Sequence, residues 1–165
     1  MICDVSIETD VEKAVNQTIK TFGRIDVALA CAAIATMSAT LSKKKSMDMK
    51  IMRQLMEINF YGSMHVAKFA SVAMTKNKPS EKGERGLILF VSSIASEQAM
   101  RGQGPYGATK GAIRAMTLPM ARDMGQFGIR VVSIQPGLFT TPMSSVLPPA
   151  IEKLTNKLTP QGRFG

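Results

Sequence analysis

Residues 86–110, GLILFVSSIASEQAMRGQGPYGATK, contain in order a strand, a loop and the start of a helix. After Gly86 the run LILFV has the apolar and β-branched side chains that are typical of a strand inside a sheet. The glycines and proline of residues 101–105 predict a loop, because both residue types interrupt regular structure. A helix is predicted over residues 106–124. A strand followed by a helix is the repeating unit of a parallel sheet.

The same alternation continues on both sides of this stretch. Apolar side chains at helical spacing predict helices over residues 10–22 and 47–76. Short apolar runs predict strands over residues 25–30 and 129–135, and we expect the first of these to be buried on both faces. Strands joined through helices pair in parallel with right-handed crossovers. The sequence therefore predicts one α/β domain over residues 1–165, with a doubly wound parallel sheet.

Chemically useful side chains follow all three predicted strands. Cys31 comes after the first strand, Ser93 after the second, and Phe139 and Thr141 after the third. Because ligands of such sheets bind at the carboxyl ends of the strands, these side chains mark the predicted site.

Tyr106 and Lys110 are four residues apart at the start of a predicted helix, so they share one helix face. A phenol has an ordinary pKa near ~10, and a neighbouring ammonium group is expected to lower it toward working pH. Tyr106 would then act as a general acid and base, and Ser93 would hold the substrate oxygen. Each residue also has an ordinary structural explanation, but their joint placement favours chemistry.

Composition excludes some classes of site and leaves others open. One histidine, His65, provides too little material for a zinc site or a serine–histidine triad, and we expect it to pack or lie at the surface. We expect no metal and no membrane-spanning segment. The net charge of +9 is explained either by a solvated surface that attracts an anionic cofactor or thioester, or by nucleic-acid binding through Lys43, Lys44 and Lys45.

The motifs around these residues resemble the short-chain dehydrogenase/reductase family. Ser93, YGATK at 106–110 and PGLFTTP at 136–142 occur in the family's order and spacing, and Asn59 in INFYG matches its fourth catalytic position. The resemblance implies a Rossmann-type fold and an NAD-dependent oxidoreductase acting on a secondary alcohol or ketone. Ser93 would also bind the substrate, a 3-hydroxyacyl-CoA or a hydroxysteroid.

The resemblance also implies a set of cofactor contacts. Asp4 and Val5 would contact adenine, Cys31 would be a small buried residue beside the ribose, and Lys110 would hold the nicotinamide ribose. The implied NAD-binding positions are Asp4, Val5, Cys31, Tyr106, Lys110, Phe139 and Thr141. Asn59 would bend its helix and support the proton relay.

The sequence departs from the family pattern in three ways. It contains no TGxxxGxG turn, it has Ala30 and Ala33 where the family has asparagine and glycine, and it stops before the family's last helix and strand. We therefore expect a domain truncated at both ends, with family strands 4, 5 and 6 and a stub of strand 3. Open sheet edges and an uncovered apolar face should result.

Several expectations concern the chain as a working protein. By resemblance we expect a mitochondrial location and, in an intact protein, a homo-oligomer, a tetramer in the family. We expect the 165 residues not to catalyse the reaction unaided. The alternatives are a catalytically inactive fragment and a scaffold protein with RNA-processing partners.

Overall fold

The computed structural model describes residues 1–144 and 149–165, except for the side chains of residues 149 and 150. Helices and strands alternate along the chain, as predicted. In chain order the elements are α1 (Glu8–Phe22), β1 (Val27–Ala30), α2 (Met49–Leu55), a π-helical segment (Met56–Tyr61), α3 (Gly62–Met74), β2 (Gly86–Val91), α4 (Ala95–Gln98), α5 (Gly104–Gly125), β3 (Ile129–Ile134) and α6 (Pro149–Leu158).

The three strands form one parallel sheet in the order β1-β2-β3. Leu29 pairs with Leu89, and Leu89 pairs with Val132, so the three strands are in register across the sheet. The predicted parallel pairing is confirmed. Within the described residues β1 and β3 are both edge strands, as expected for a sheet of this order.

One face of the sheet is covered and holds the core. Alternate strand residues, among them Ala28, Ile88 and Val131, pack in one cluster with the apolar faces of α3 and α5, and α1 packs against the same cluster. On the opposite face Val27 and Leu29 of β1 are 57% and 53% exposed. The prediction that this strand is buried on both faces is therefore wrong, because the three long helices share one side.

The predicted helix over residues 47–76 consists of three consecutive pieces. It starts at Asp48, whose carboxylate accepts a hydrogen bond from the Lys50 amide at 2.9 Å. Its middle is the π-helical segment, which contains Asn59. A π-helical turn changes the direction of the following helix, so the expected bend at Asn59 has a structural cause.

The chain before α1 differs from the prediction. Asp4 and Val5 form a turn instead of a stub of a further strand, and the Ile7 amide donates to the Asp4 carbonyl at 3.0 Å. This turn leads directly into α1. The described sheet therefore has three strands and no fourth stub.

The loops after β2 and β3 are tied together at the carboxyl edge of the sheet. The Ser92 amide donates to the Ile134 carbonyl at 2.9 Å, and the Ile94 amide donates to the Pro136 carbonyl at 3.0 Å. These bonds fix Ser93 between the two strand ends. Among the described residues, no helix has both the length and the apolar character that crossing a bilayer requires.

Candidate active site

Ser93, Tyr106 and Lys110 meet at the carboxyl end of β2. The Ser93 hydroxyl lies beside the Tyr106 hydroxyl, where it acts to lower the pKa of that phenol. Ser93 Oγ also accepts a hydrogen bond from the Ala95 amide at 3.1 Å. The Lys110 ammonium group lies over the Tyr106 ring, 5.8 Å from its centroid. The structure thus brings together all three residues that the sequence singled out for chemistry.

The electrostatics of Tyr106 differ from the expectation. Burial raises the pKa of the Tyr106 phenol above its ordinary value, and the neighbouring Ser93 hydroxyl only partly offsets this effect. The prediction that Lys110 lowers this pKa is wrong for this structure. The physical reason is that Lys110 Nζ lies over the ring face and donates to the Val91 carbonyl at 2.7 Å. At neutral pH Tyr106 is therefore a protonated acid.

Lys110 is itself an unusual lysine, because it is only 3% exposed. Burial lowers the pKa of its ammonium group to about 8, and the nearby Cys31 partly counteracts this shift. The hydroxyl of Ser92, which is also buried, donates to the Lys110 carbonyl at 2.8 Å. The backbone and the side chain of Lys110 are thus both held against the end of β2.

The buried Lys110 should give stability a distinctive pH dependence. Because its native pKa of about 8 lies below the ordinary 10.5, the unfolded state binds more protons between these two values. The contribution of Lys110 to the free energy of unfolding is therefore most unfavourable below the native pKa and improves as pH rises through this window. We expect Lys110→Met to flatten the rise seen in urea unfolding between pH ~7 and ~9.5.

The control for this measurement is Lys20→Met, at an exposed position on α1 that should keep the parent slope. The scan stays below pH ~10, because the raised pKa of Tyr106 gives the opposite slope above that value. Identical slopes in the parent and in Lys110→Met would contradict the assignment.

Asn59 is fully buried in the π-helical segment and acts at a distance from the reacting groups. Its Oδ1 accepts from the Ile34 amide at 2.8 Å, and its Nδ2 donates to the Ile34 carbonyl at 2.9 Å. The same Nδ2 donates to Thr109 Oγ1 at 3.1 Å. These contacts make Asn59 a residue that positions its neighbours, while its predicted part in a proton relay stays a prediction.

Two of the predicted cofactor residues lie together at the end of β1. Val5 and Cys31 line a small cleft with Ala32 and Gly62. Cys31 is exposed, so the expectation of a buried residue is wrong for this structure. The Asp4 carboxylate is also exposed, and Ser6 holds it through both its amide and its hydroxyl, which lowers the pKa of the Asp4 carboxyl.

Phe139 and Thr141 lie in the loop after β3 and are both exposed. The Ser144 hydroxyl donates to the carbonyls of both residues, at 2.7 and 2.9 Å. The Thr140 amide donates to the Gly165 carbonyl at 3.1 Å, so the end of the chain packs on this loop. The loop follows the expected strand, and among the described residues neither the Phe139 nor the Thr141 side chain is hydrogen-bonded to Tyr106 or Lys110.

Residues outside the predicted site fall into two groups. His65 binds the Val5 carbonyl through Nδ1 at 2.9 Å, which confirms a packing role. Lys43, Lys44 and Lys45 are exposed in a loop closed by a bridge between Leu41 and Ser46. The lysines therefore lie on the surface, and the two explanations of the net charge both stay open.

Sequence reasoning missed two buried residues of the site, Ser92 and Thr109. Both lie beside residues that were singled out, Ser92 before Ser93 and Thr109 before Lys110. Their hydroxyls donate to the backbone of α5, at the Lys110 and Tyr106 carbonyls. The only signal in the sequence is that each residue lies next to a candidate catalytic residue. This signal does not reveal that Thr109 binds the distant Asn59.

A cleft of about 430 Å³ lies at the opposite end of the sheet. Arg24, Asp26, Arg85 and Arg130 are part of its lining. Two ion pairs there, Arg24 with Asp26 and Arg130 with Glu84, neutralise part of its charge. We place the site at the carboxyl end of the sheet, because Ser93, Tyr106 and Lys110 lie there and ligands of such sheets bind at that end. The size of the cleft at the opposite end is not evidence for a site.

The fold and the site define an α/β protein with a tyrosine–lysine acid–base centre at the carboxyl edge of a parallel sheet. Comparison with known proteins agrees. The model of the enoyl-(acyl carrier protein) reductase family matches residues 1–165. The 3-hydroxyacyl-CoA dehydrogenase type-2 of Bos taurus is 40% identical over 163 residues, which are 98% of this chain and 61% of that protein.

Two solved structures share the fold. A gluconate 5-dehydrogenase from Burkholderia cenocepacia, in complex with NADP and tartrate, has a TM-score of 0.85 and 29% identity, over 98% of this chain and 60% of that one. A 3-hydroxyacyl-CoA dehydrogenase type-2 from Mycobacterium avium has a TM-score of 0.89 and 26% identity, over 99% and 64%. These similarities confirm the Rossmann-type fold.

The chain belongs to the short-chain dehydrogenase/reductase family. It spans about 61% of the length of the bovine relative that it matches. The family resemblance inferred from Ser93, YGATK and PGLFTTP is therefore confirmed.

Proposed function

We propose that this chain provides the acid–base centre of an NAD(P)-dependent oxidoreductase acting on a secondary alcohol or ketone. The observation that carries the proposal is the placement of the Tyr106 hydroxyl, which lies beside both the Ser93 hydroxyl and a buried lysine. The substrate class that we propose is a 3-hydroxyacyl-CoA or a hydroxysteroid. The name of the bovine relative supports the first of these.

Ser93 is suited to orienting the substrate oxygen. Its Oγ accepts a hydrogen bond from the Ala95 amide, and a bound substrate oxygen would take the Ser93 proton in place of Tyr106. Its neighbour Tyr106 has a raised pKa and holds its proton at neutral pH. Two hydroxyl protons thus converge where a carbonyl oxygen would accept them, as ketone reduction requires.

In the oxidative direction Tyr106 accepts a proton from the substrate instead of donating one. The Tyr106 phenolate removes the proton of the substrate hydroxyl, while the carbinol C–H bond breaks and a carbonyl forms. A nicotinamide cofactor held beside Lys110 would supply the acceptor for the hydride that leaves that carbon. Because the phenolate is scarce at neutral pH, oxidation should accelerate as pH rises. Lys110 provides an ammonium group whose charge is itself lost above a pKa of about 8.

The described residues fit part of a dinucleotide. Val5, Cys31 and Ala32 line a small cleft with mostly apolar walls at the carboxyl end of β1, which would contact one edge of an adenosine group. Lys110 would hold the nicotinamide ribose, and Phe139 and Thr141 would contact the carboxamide side. The sequence contains no TGxxxGxG turn for the pyrophosphate.

Other properties are proposals that the resemblance supports. We propose NAD as the preferred cofactor, although the gluconate 5-dehydrogenase structure holds NADP. We also propose a mitochondrial location and a homo-oligomeric assembly, by resemblance to the family. RNA-processing partners rest only on the exposed run from Lys43 to Lys45 and the net charge of +9.

The test compares two proteins. The first is this chain alone, in which we expect weaker than micromolar NADH binding by fluorescence and no measurable turnover. The second is a fusion that adds the parts of the bovine relative outside the matched region, in which we expect a 3-hydroxyacyl-CoA to reduce NAD⁺. A well-folded fusion that binds NADH but transfers no hydride would contradict the proposal.

A further inference from the structure

A buried polar cluster connects the loop after β1 with the first turns of α5. Asn59 and Thr109 are both 0% exposed, and Asn59 Nδ2 donates to Thr109 Oγ1 at 3.1 Å. Thr109 Oγ1 in turn donates to the Tyr106 carbonyl at 2.8 Å. On its other side Asn59 binds both the amide and the carbonyl of Ile34. The cluster therefore joins three separate parts of the chain.

The hydrogen-bond directions in this cluster allow a single arrangement. The Tyr106 carbonyl can only accept, so the one proton of the Thr109 hydroxyl is committed to it. Thr109 Oγ1 can then only accept from Asn59, which turns Nδ2 toward Thr109. Oδ1 is left facing the Ile34 amide, which can only donate. The hydroxyl of Thr109 and the backbone of Ile34 thus favour the same orientation of the Asn59 carboxamide.

The first turns of α5 are held from two directions. Ser92, at the end of β2, binds the Lys110 carbonyl, whereas Thr109 connects the preceding turn to Asn59 and the β1 loop. The β1 loop begins with Cys31, which lies in the cleft at the end of β1. Removal of the Thr109 hydroxyl would leave a fully buried N–H of Asn59 without an acceptor.

We propose that Thr109 is a positioning residue that fixes residues 31–34 relative to the turn carrying Tyr106 and Lys110. The catalytic importance of this link rests on the proposed function, whereas the link itself can be measured in the chain alone. Thr109 touches no reacting atom, and it acts through Asn59 and through the Tyr106 backbone.

The experiment follows amide hydrogen exchange by NMR in the full chain. We compare Thr109→Val, which keeps the shape and removes the hydroxyl, with Thr109→Ser, which keeps the hydroxyl. The matched control is Thr117→Val. Thr117 lies on the same helix, and its hydroxyl donates to the Ile113 carbonyl within that helix at 2.9 Å. Thr109→Ala takes the place of the valine variant if the valine variant does not fold.

We expect Thr109→Val to reduce protection of the Ile34 amide about tenfold relative to Phe90 in β2. Thr109→Ser and Thr117→Val should keep the parent value. The proposal is overturned by unchanged protection at Ile34, or by equal losses at Ile34 and Phe90, which would indicate a purely structural role.

The kinetic consequence is measured separately in the fusion described above. There we expect Thr109→Val to lower kcat about tenfold with little change in KM, and Thr109→Ser to restore it. An inactive parent fusion would count against the proposed function and leave the exchange result standing. A loss in kcat without the exchange effect at Ile34 would overturn the positioning role.

Discussion

Replacement of Tyr106 by Phe should abolish hydride transfer in the fusion enzyme, with kcat falling by about 10²- to 10⁴-fold. The ring stays in place, so packing around Lys110 should be kept, but no hydroxyl is left to exchange a proton with the substrate. In this variant Ser93 would still donate a hydrogen bond to the substrate oxygen. A hydrogen bond alone cannot replace the proton donor that Tyr106 provides. NADH absorbance during oxidation of a 3-hydroxyacyl-CoA measures the effect.

The control for this change is Tyr61→Phe. Tyr61 is the other of the two tyrosines in the sequence, it is 45% exposed, and its ring makes an edge contact with Phe60 at 5.4 Å between centroids. Its hydroxyl has no part in the proposed chemistry, so kcat should stay close to the parent value. Turnover by Tyr106→Phe at the parent rate would remove Tyr106 from the mechanism.

The largest expected loss of stability comes from Gly128→Ala. Gly128 precedes β3 with a φ of +72°, which L side chains rarely adopt, and a Cβ there would overlap the Gly83 carbonyl oxygen. The neighbouring backbone cannot easily withdraw, because the Arg85 amide donates to the Gly128 carbonyl at 2.7 Å. We expect the free energy of unfolding to fall by about 3 kcal/mol, measured by urea unfolding followed by circular dichroism.

Gly125→Ala provides the matched control three residues earlier. Gly125 is the last residue of α5, its φ is not in the left-handed region, and a Cβ there would meet no atom within 4 Å. Alanine should leave stability unchanged or raise it by up to about 1 kcal/mol. Equal unfolding midpoints for the two variants would show that the turn at residue 128 tolerates a side chain.

Much of the fold and the centre of the site could be predicted, because local patterns determine them. The apolar run before Ser93 predicts a strand, and the spacing of strands and helices predicts parallel pairing. Tyr106 and Lys110 share a face through helix geometry alone. The structure confirms these points, including the meeting of both residues with Ser93 at one strand end.

The properties that could not be predicted depend on tertiary placement. The exposure of Val27 and Leu29 follows from three helices sharing one face of the sheet, which no local pattern specifies. The raised pKa of Tyr106 depends on its burial and on the Val91 carbonyl that binds Lys110. The role of Thr109 depends on Asn59, fifty residues away along the chain.

The π-helical segment Met56–Tyr61 has a consequence for insertions and deletions. A π-helical turn contains about one residue more than an α-helical turn. Deletion of one residue there would restore a continuous α-helix, and the later positions would keep their faces because the π-helical turn holds the extra residue. Ala67, Ala70 and Met74 would then stay in the core. A gap of one residue should therefore be tolerated better at this point than inside α3, where it would rotate every later position by about 100°.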